Sequence, residues 1–125
     1  MTSTTKFIDT NIFIERFSNP LAKNLTDHLD PEKHFTSVLV LSELYHKLQQ
    51  KRIMSISSYI KGIMSAIRVE PITQNDLFNA MRNNSMLEIN DRIHLEVMKR
   101  NNAHVIVSYD KGFDADPIIE REEPR

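Results

Sequence analysis

Four acidic residues in this chain have the type and placement to do chemistry together. Asp9 closes the run Lys6-Phe7-Ile8-Asp9, and Glu43 lies within Ser42-Glu43-Leu44-Tyr45. Asp91 sits in Asn90-Asp91-Arg92-Ile93-His94, and Asp110 ends Val105-Ile106-Val107-Ser108-Tyr109-Asp110. Hard divalent cations such as Mg2+ and Mn2+ are bound by several carboxylate oxygens converging on one point. Converging, the four acids would make a centre able to cleave phosphodiesters; scattered, they would belong to an ordinary small α/β domain. The chain has no cysteine, so disulfide and thiolate chemistry are excluded.

The elements that must position these acids are legible from periodicity. Residues 6–9 read as a short strand, with Thr10 as the expected helix cap and Ile12, Phe13, Ile14 and Phe17 along a short helix. A second helix is expected over residues 21–29, stopped by Asp30-Pro31. Residues 33–36 read as a strand leading to Ser37. Apolar positions then recur at helical spacing over 38–50 and again over 55–68. Residues 69–72 are extended ahead of a helix capped by Thr73, and Asn83-Asn84-Ser85 marks a loop. Asn90 or Asp91 is the expected cap of the next helix. Residues 104–109 form the clearest strand, continuously apolar at its centre and therefore buried on both faces. The charged tail over 120–125 is expected to fray. This order gives an α/β fold with a central parallel sheet flanked by helices, forming one domain over residues 1–125.

Composition sets further bounds. Forty per cent hydrophobic and 26% charged residues describe an ordinary globular chain. No apolar run can span a bilayer, and the first residues lack the apolar stretch of a secretory signal. A reducing cytoplasm is the expected setting. The net charge of −1 announces no nucleic-acid binder. Setting the four candidate acids apart, however, leaves 13 acids against 16 basic residues.

Parallel sheets bind ligands beyond the carboxyl ends of their strands, so Asp9 and Asp110 are expected on one edge. Asp91 opens a helix, where an anion is favoured. Glu43 lies in an apolar helix and must face solvent or find a partner, for which a metal would serve. Taken singly, each acid is more simply a turn former, a cap or a solvated helix position. The two acid-x-x-His pairs, Glu43 with His46 and Asp91 with His94, also match half of a carboxylate di-iron bundle. The apolar strand over 105–107 argues against that reading, and both histidines are expected at the surface or an interface.

Four segments together resemble the PIN-domain family: Phe7-Ile8-Asp9-Thr10-Asn11, Ser42-Glu43-Leu44, Asn90-Asp91-Arg92-Ile93-His94, and Val107-Ser108-Tyr109-Asp110-Lys111-Gly112-Phe113. In length and layout the chain is most similar to its VapC-type ribonuclease toxins. One departure is Leu95-Glu96-Val97-Met98, where the family usually has small residues. The resemblance implies a three-layer α/β/α fold and a Mg2+- or Mn2+-dependent endoribonuclease leaving a 5′-phosphate and a 3′-hydroxyl. Asp9, Glu43, Asp91 and Asp110 would be its catalytic metal ligands, supported by Asn11 and Ser108. It also implies an RNA substrate, a homodimer and a cognate antitoxin, with contact surfaces among the apolar residues of 12–17 and 38–59. Arg16, Lys47, Lys51, Arg52, Arg92 and Lys111 are candidate RNA contacts, and Asp114 is expected to be a turn residue. The alternatives are an RNA-processing nuclease without an antitoxin, or a non-catalytic nuclease-like binding module.

Overall fold

The computed structural model describes residues 5–125, and Met1 to Thr4 lie outside the described residues. Five short parallel strands form one sheet in the order β3-β2-β1-β4-β5. β1 (Lys6–Ile8) is followed by α1 (Thr10–Glu15), α2 (Pro20–Asp27) and β2 (His34–Ser37). Next come α3 (Val38–Gln50), α4 (Ile56–Ala66) and β3 (Arg68–Glu70), then α5 (Gln74–Arg82) and α6 (Ile89–Arg100). The chain ends with β4 (Val105–Val107), a 3₁₀ turn over Lys111–Ala115 and β5 (Glu120–Glu122).

Chain direction across the sheet explains where a site can form. From β1 the chain steps to β2 and β3 on one side, then returns through α5 and α6 to β4 on the other side of β1. Right-handed crossovers made in opposite directions place their helices on opposite faces of the sheet. The loops after β1 and β4 therefore diverge, opening a crevice at the carboxyl ends of these two central strands. β1 and β4 pair in register, Lys6 with Val105 through Ile8 with Val107, which sets the residues after them side by side. Phe7, Ile8, Phe35, Ile106 and Val107 are buried at the centre of the sheet. Ile12, Phe13, Leu44 and Leu48 cover it from the helices. Phe7 and Phe35 meet edge to face across β1 and β2, 5.4 Å between ring centres.

Most elements stand where periodicity puts them, and the departures have local causes. Asp9, not Thr10, is the N-cap of α1, which frees the Thr10 hydroxyl for a longer-range contact. Asn19 caps α2 with Pro20 in the first helical position, one residue ahead of the expected start. α4 stops at Ala66 because Arg68 already pairs with Phe35 in the sheet. Thr73 caps α5 as expected, within a reciprocal capping box with Asp76. Neither Asn90 nor Asp91 caps α6: Glu88 does, and Asp91 lies inside its first turn. The first half of the tail expected to fray is instead a strand. Residues 120–122 pair with β4, and Lys6 holds Glu122 at 2.8 Å. A charged strand carries no apolar signal, so hydrophobic periodicity cannot find it.

Candidate active site

Asp9, Glu43, Asp91 and Asp110 line one cleft of about 390 Å³ at the carboxyl edge between β1 and β4. Four elements deliver them: the β1–α1 junction, the second turn of α3, the first turn of α6, and the residue capping the 3₁₀ turn.

A dense set of hydrogen bonds orients two of the carboxylates. Asp9 is 4% exposed, and its Oδ1 accepts from the Thr10 backbone at 2.8 Å. Its Oδ2 accepts from Ser108 Oγ at 2.7 Å and from Asn11 Nδ2 at 3.2 Å. The fully buried Ser108 hydroxyl also accepts from Asn11 Nδ2 and from the Asp110 backbone N–H. Its one proton and both lone pairs are thereby used. Asn11 Oδ1 accepts from the Tyr109 backbone, completing a tie between the loops after β1 and β4. The two polar residues expected beside the acids, Asn11 and Ser108, are thus the ones joining Asp9 to Asp110.

Glu43 is half-buried and has protein partners. Oε1 accepts from Thr10 Oγ1 at 2.7 Å and lies 3.1 Å from His94 Nε2, while Oε2 accepts from Asn90 Nδ2 at 3.1 Å. Burial alone would raise its pKa, but the hydrogen bond and charge of His94, with the bonds from Thr10 and Asn90, outweigh it and hold it low. Asp91 differs: among the described residues no donor reaches its carboxylate. Burial first, then the negative charges of Asp9, Asp110 and Glu43, push it up to about 6 against an opposing pull from His94. Burial also raises Asp9. Like charges are crowded into one cleft, an arrangement that a cation relieves.

His94 was misplaced by sequence reasoning. It is fully buried, packed against Phe7, with Nε2 3.1 Å from Glu43 and 3.7 Å from Asp9. Burial alone would lower its pKa, yet the surrounding carboxylates, Glu43 foremost, raise it above the ordinary histidine value. Nδ1 is buried without a hydrogen-bond partner. Ligand atoms of Asp9, Asp91 and His94 lie within 4.8 Å of one another, so the tightest acidic group includes the imidazole. The signal was present in Asp91-x-x-His94, whose spacing of three residues puts both side chains on one face of α6. His46, by contrast, is exposed on α3 as expected.

The remaining candidates separate cleanly. Arg16 pairs with Asp27 and stacks on Tyr59, and Arg92 donates to the carbonyls of Ala80 and Asn83. Asp114 lies in the 3₁₀ turn and pairs with Arg121 at 2.8 Å, outside the cleft lining. Of the six proposed cations, Lys47 and Lys51 line the cleft.

Residues 6–116 match the model of the PIN domain, and the chain belongs to that family. Solved structures share the fold over nearly the whole length. A sarcin–ricin loop cleaving toxin of Mycobacterium tuberculosis, VapC20, is 22% identical with a TM-score of 0.74, covering 93% of this chain and 98% of that one. A toxin–antitoxin complex from Klebsiella pneumoniae gives 19% identity, a TM-score of 0.72 and coverage of 93% and 96%. VapBC2 from Rickettsia felis, bound to a DNA fragment from its promoter, gives 16%, 0.72, and 97% and 99%. No curated protein sequence matches the chain. No helix among the described residues is long and apolar enough to cross a membrane.

Proposed function

We infer that the protein is a divalent-metal-dependent endoribonuclease, the toxin of a toxin–antitoxin pair. The observation that carries this reading is the convergence of Asp9, Glu43, Asp91 and Asp110 on one cleft of a PIN-domain fold. The donor set fits a hard cation: four carboxylates from four elements, one of them, Asp91, without a hydrogen-bond donor and crowded by like charge. Asp9, Asp91 and Asp110 would hold Mg2+ or Mn2+, with Glu43 directly or through water. Held there, such an ion would supply Lewis-acid polarisation of a phosphate oxygen and would lower the pKa of bound water so that a hydroxide nucleophile is available at neutral pH.

The chain's own residues orient the acids around that ion. Ser108, Asn11 and the Thr10 amide fix both oxygens of Asp9. Thr10, His94 and Asn90 fix Glu43, an arrangement that lowers the reorganisation needed when charge develops on the phosphate. RNA as substrate is supported by the family and by the likeness to VapC20, a sarcin–ricin loop cleaving toxin, and a cytoplasmic setting would follow from such a substrate. The toxin–antitoxin complexes among the structural neighbours support an antitoxin partner, and the family resemblance implies a homodimer. Most apolar residues of 12–17 and 38–59 are core. Phe17, Val38, Tyr45 and Met54 remain exposed for such contacts.

The test is to map new 5′-monophosphate RNA ends after brief expression of wild type and of Asp9→Asn. Ends at a few sites in wild type alone establish a selective ribonuclease and name its substrate. Equal patterns from two folded, partner-free proteins would favour a non-catalytic binding module instead.

A further inference from the structure

Lys47 and Lys51 share the cleft with the four acids. They follow Glu43 on α3 by one and two helical turns, Lys51 being the helix's C-cap. Glu43, Lys47 and Lys51 therefore form a straight stripe on one helix face, about 6 Å from each to the next. That step is close to the separation of successive phosphates in an extended nucleic-acid strand. Neither lysine forms an ion pair among the described residues, whereas Lys6, Arg16, Lys23, Arg68, Lys99, Arg100 and Arg121 all do. Glu15, also lining the cleft, has Ser18 as its hydrogen-bond partner. The helix dipole favours cations near the end of α3, but it does not require them on the side facing the carboxylates.

We propose that Lys47 and Lys51 form a phosphate track along α3. The strand whose scissile phosphate sits at the carboxylates would set its next phosphate at Lys47 and the following one at Lys51. The proposal rests on the ribonuclease reading and adds to it the path and form of the substrate. The path proposed is that of one strand, because the two lysines and Glu43 form a single row along one helix, with a step of about 6 Å. Contacts of this kind fix register without reading bases, so sequence choice must come from elsewhere on the surface.

The experiment is binding of fluorescein-labelled oligouridylate by anisotropy as a function of salt, with Ca2+ filling the metal site to prevent turnover. Each phosphate neutralised on a single strand contributes about −0.7 to the slope of log affinity against log salt, roughly a three-fold loss for each four-fold rise in salt. Lys47→Ala and Lys51→Ala should each flatten the slope by about that amount, and the double variant by about twice as much. Lys61→Ala, an exposed lysine on α4 outside the cleft lining, should leave the slope as in wild type. Unchanged slopes in the Lys47 and Lys51 variants overturn the track while the ribonuclease reading stands, as does an equal change in Lys61→Ala. Absence of any binding also overturns the track, and the mapping of RNA ends then still decides cleavage independently. Methylphosphonate at the phosphate next to the cleaved bond gives the register. Its effect on cleavage should vanish in Lys47→Ala and persist in Lys51→Ala; persistence in both refutes the assigned order.

Discussion

Replacing Asp91 by asparagine is expected to make the metal-free protein more stable while abolishing its response to metal. The carboxylate accepts no hydrogen bond from the described residues, so the substitution removes charge without orphaning a donor. Folding lifts this carboxyl from an ordinary 3.8 to about 6, so the folded state holds the proton more tightly than the unfolded chain. The stability tied to that proton is complete below the unfolded value and lost as pH rises through about 6. The full linkage would be about 3 kcal/mol. Because the carboxyl is partly open to solvent, screening reduces it to roughly 1–1.5 kcal/mol. Asparagine keeps that stability at every pH, so thermal melts in EDTA should show the variant higher by roughly 3–6 °C at neutral to mildly alkaline pH. The two proteins should converge in acid. Raised Asp9 and His94 act with the same sign in both proteins, so the difference between them is the quantity to follow. Saturating Mn2+ should invert the order, stabilising wild type through binding to the native state alone. A variant no more stable than wild type in EDTA at pH 7.5, or an offset independent of pH, would refute the argument that crowded charge makes this site costly.

Ser108→Ala should cost about 2–4 kcal/mol in urea melts, since it removes a charge-assisted bond to Asp9 and orphans the Asp110 amide; a loss below about 0.5 kcal/mol would show that water substitutes freely. His94→Ala should weaken Mn2+ affinity by about 10–100-fold in titration calorimetry, with partial recovery in His94→Gln, which restores a donor toward Glu43. Unchanged affinity would make His94 a packing residue only. Arg92→Ala should lower stability by about 1–2 kcal/mol, because it leaves the carbonyls of Ala80 and Asn83 without that donor. Its oligouridylate binding should match wild type; weaker binding would return Arg92 to the RNA surface.

Sequence periodicity located α3 to the residue and α5 from its cap, because each buries one face and has its N-cap written locally. The same tools missed β5, whose Glu-Arg-Glu pairs by backbone hydrogen bonds and is held by one ion pair to Lys6, far away in the chain. They also exposed His94 wrongly. A histidine on a helix reads as polar and therefore outward, and only the packing of α6 against β1 and α3 turns it toward two carboxylates.

By itself the chain determined which residues could do chemistry: four acids in separate segments, two polar neighbours, and an α/β pattern that puts two of the acids at strand ends. Those are properties of side-chain type and short-range spacing. Only the tertiary structure decided that the four line one cleft, since residues up to 101 positions apart meet there through the opposite crossovers around β1. It also decided which cations face that cleft. Helix rotation about its own axis sends Lys47 and Lys51 inward and ties Arg16 and Arg92 to the scaffold, and that rotation is set by burial against the sheet.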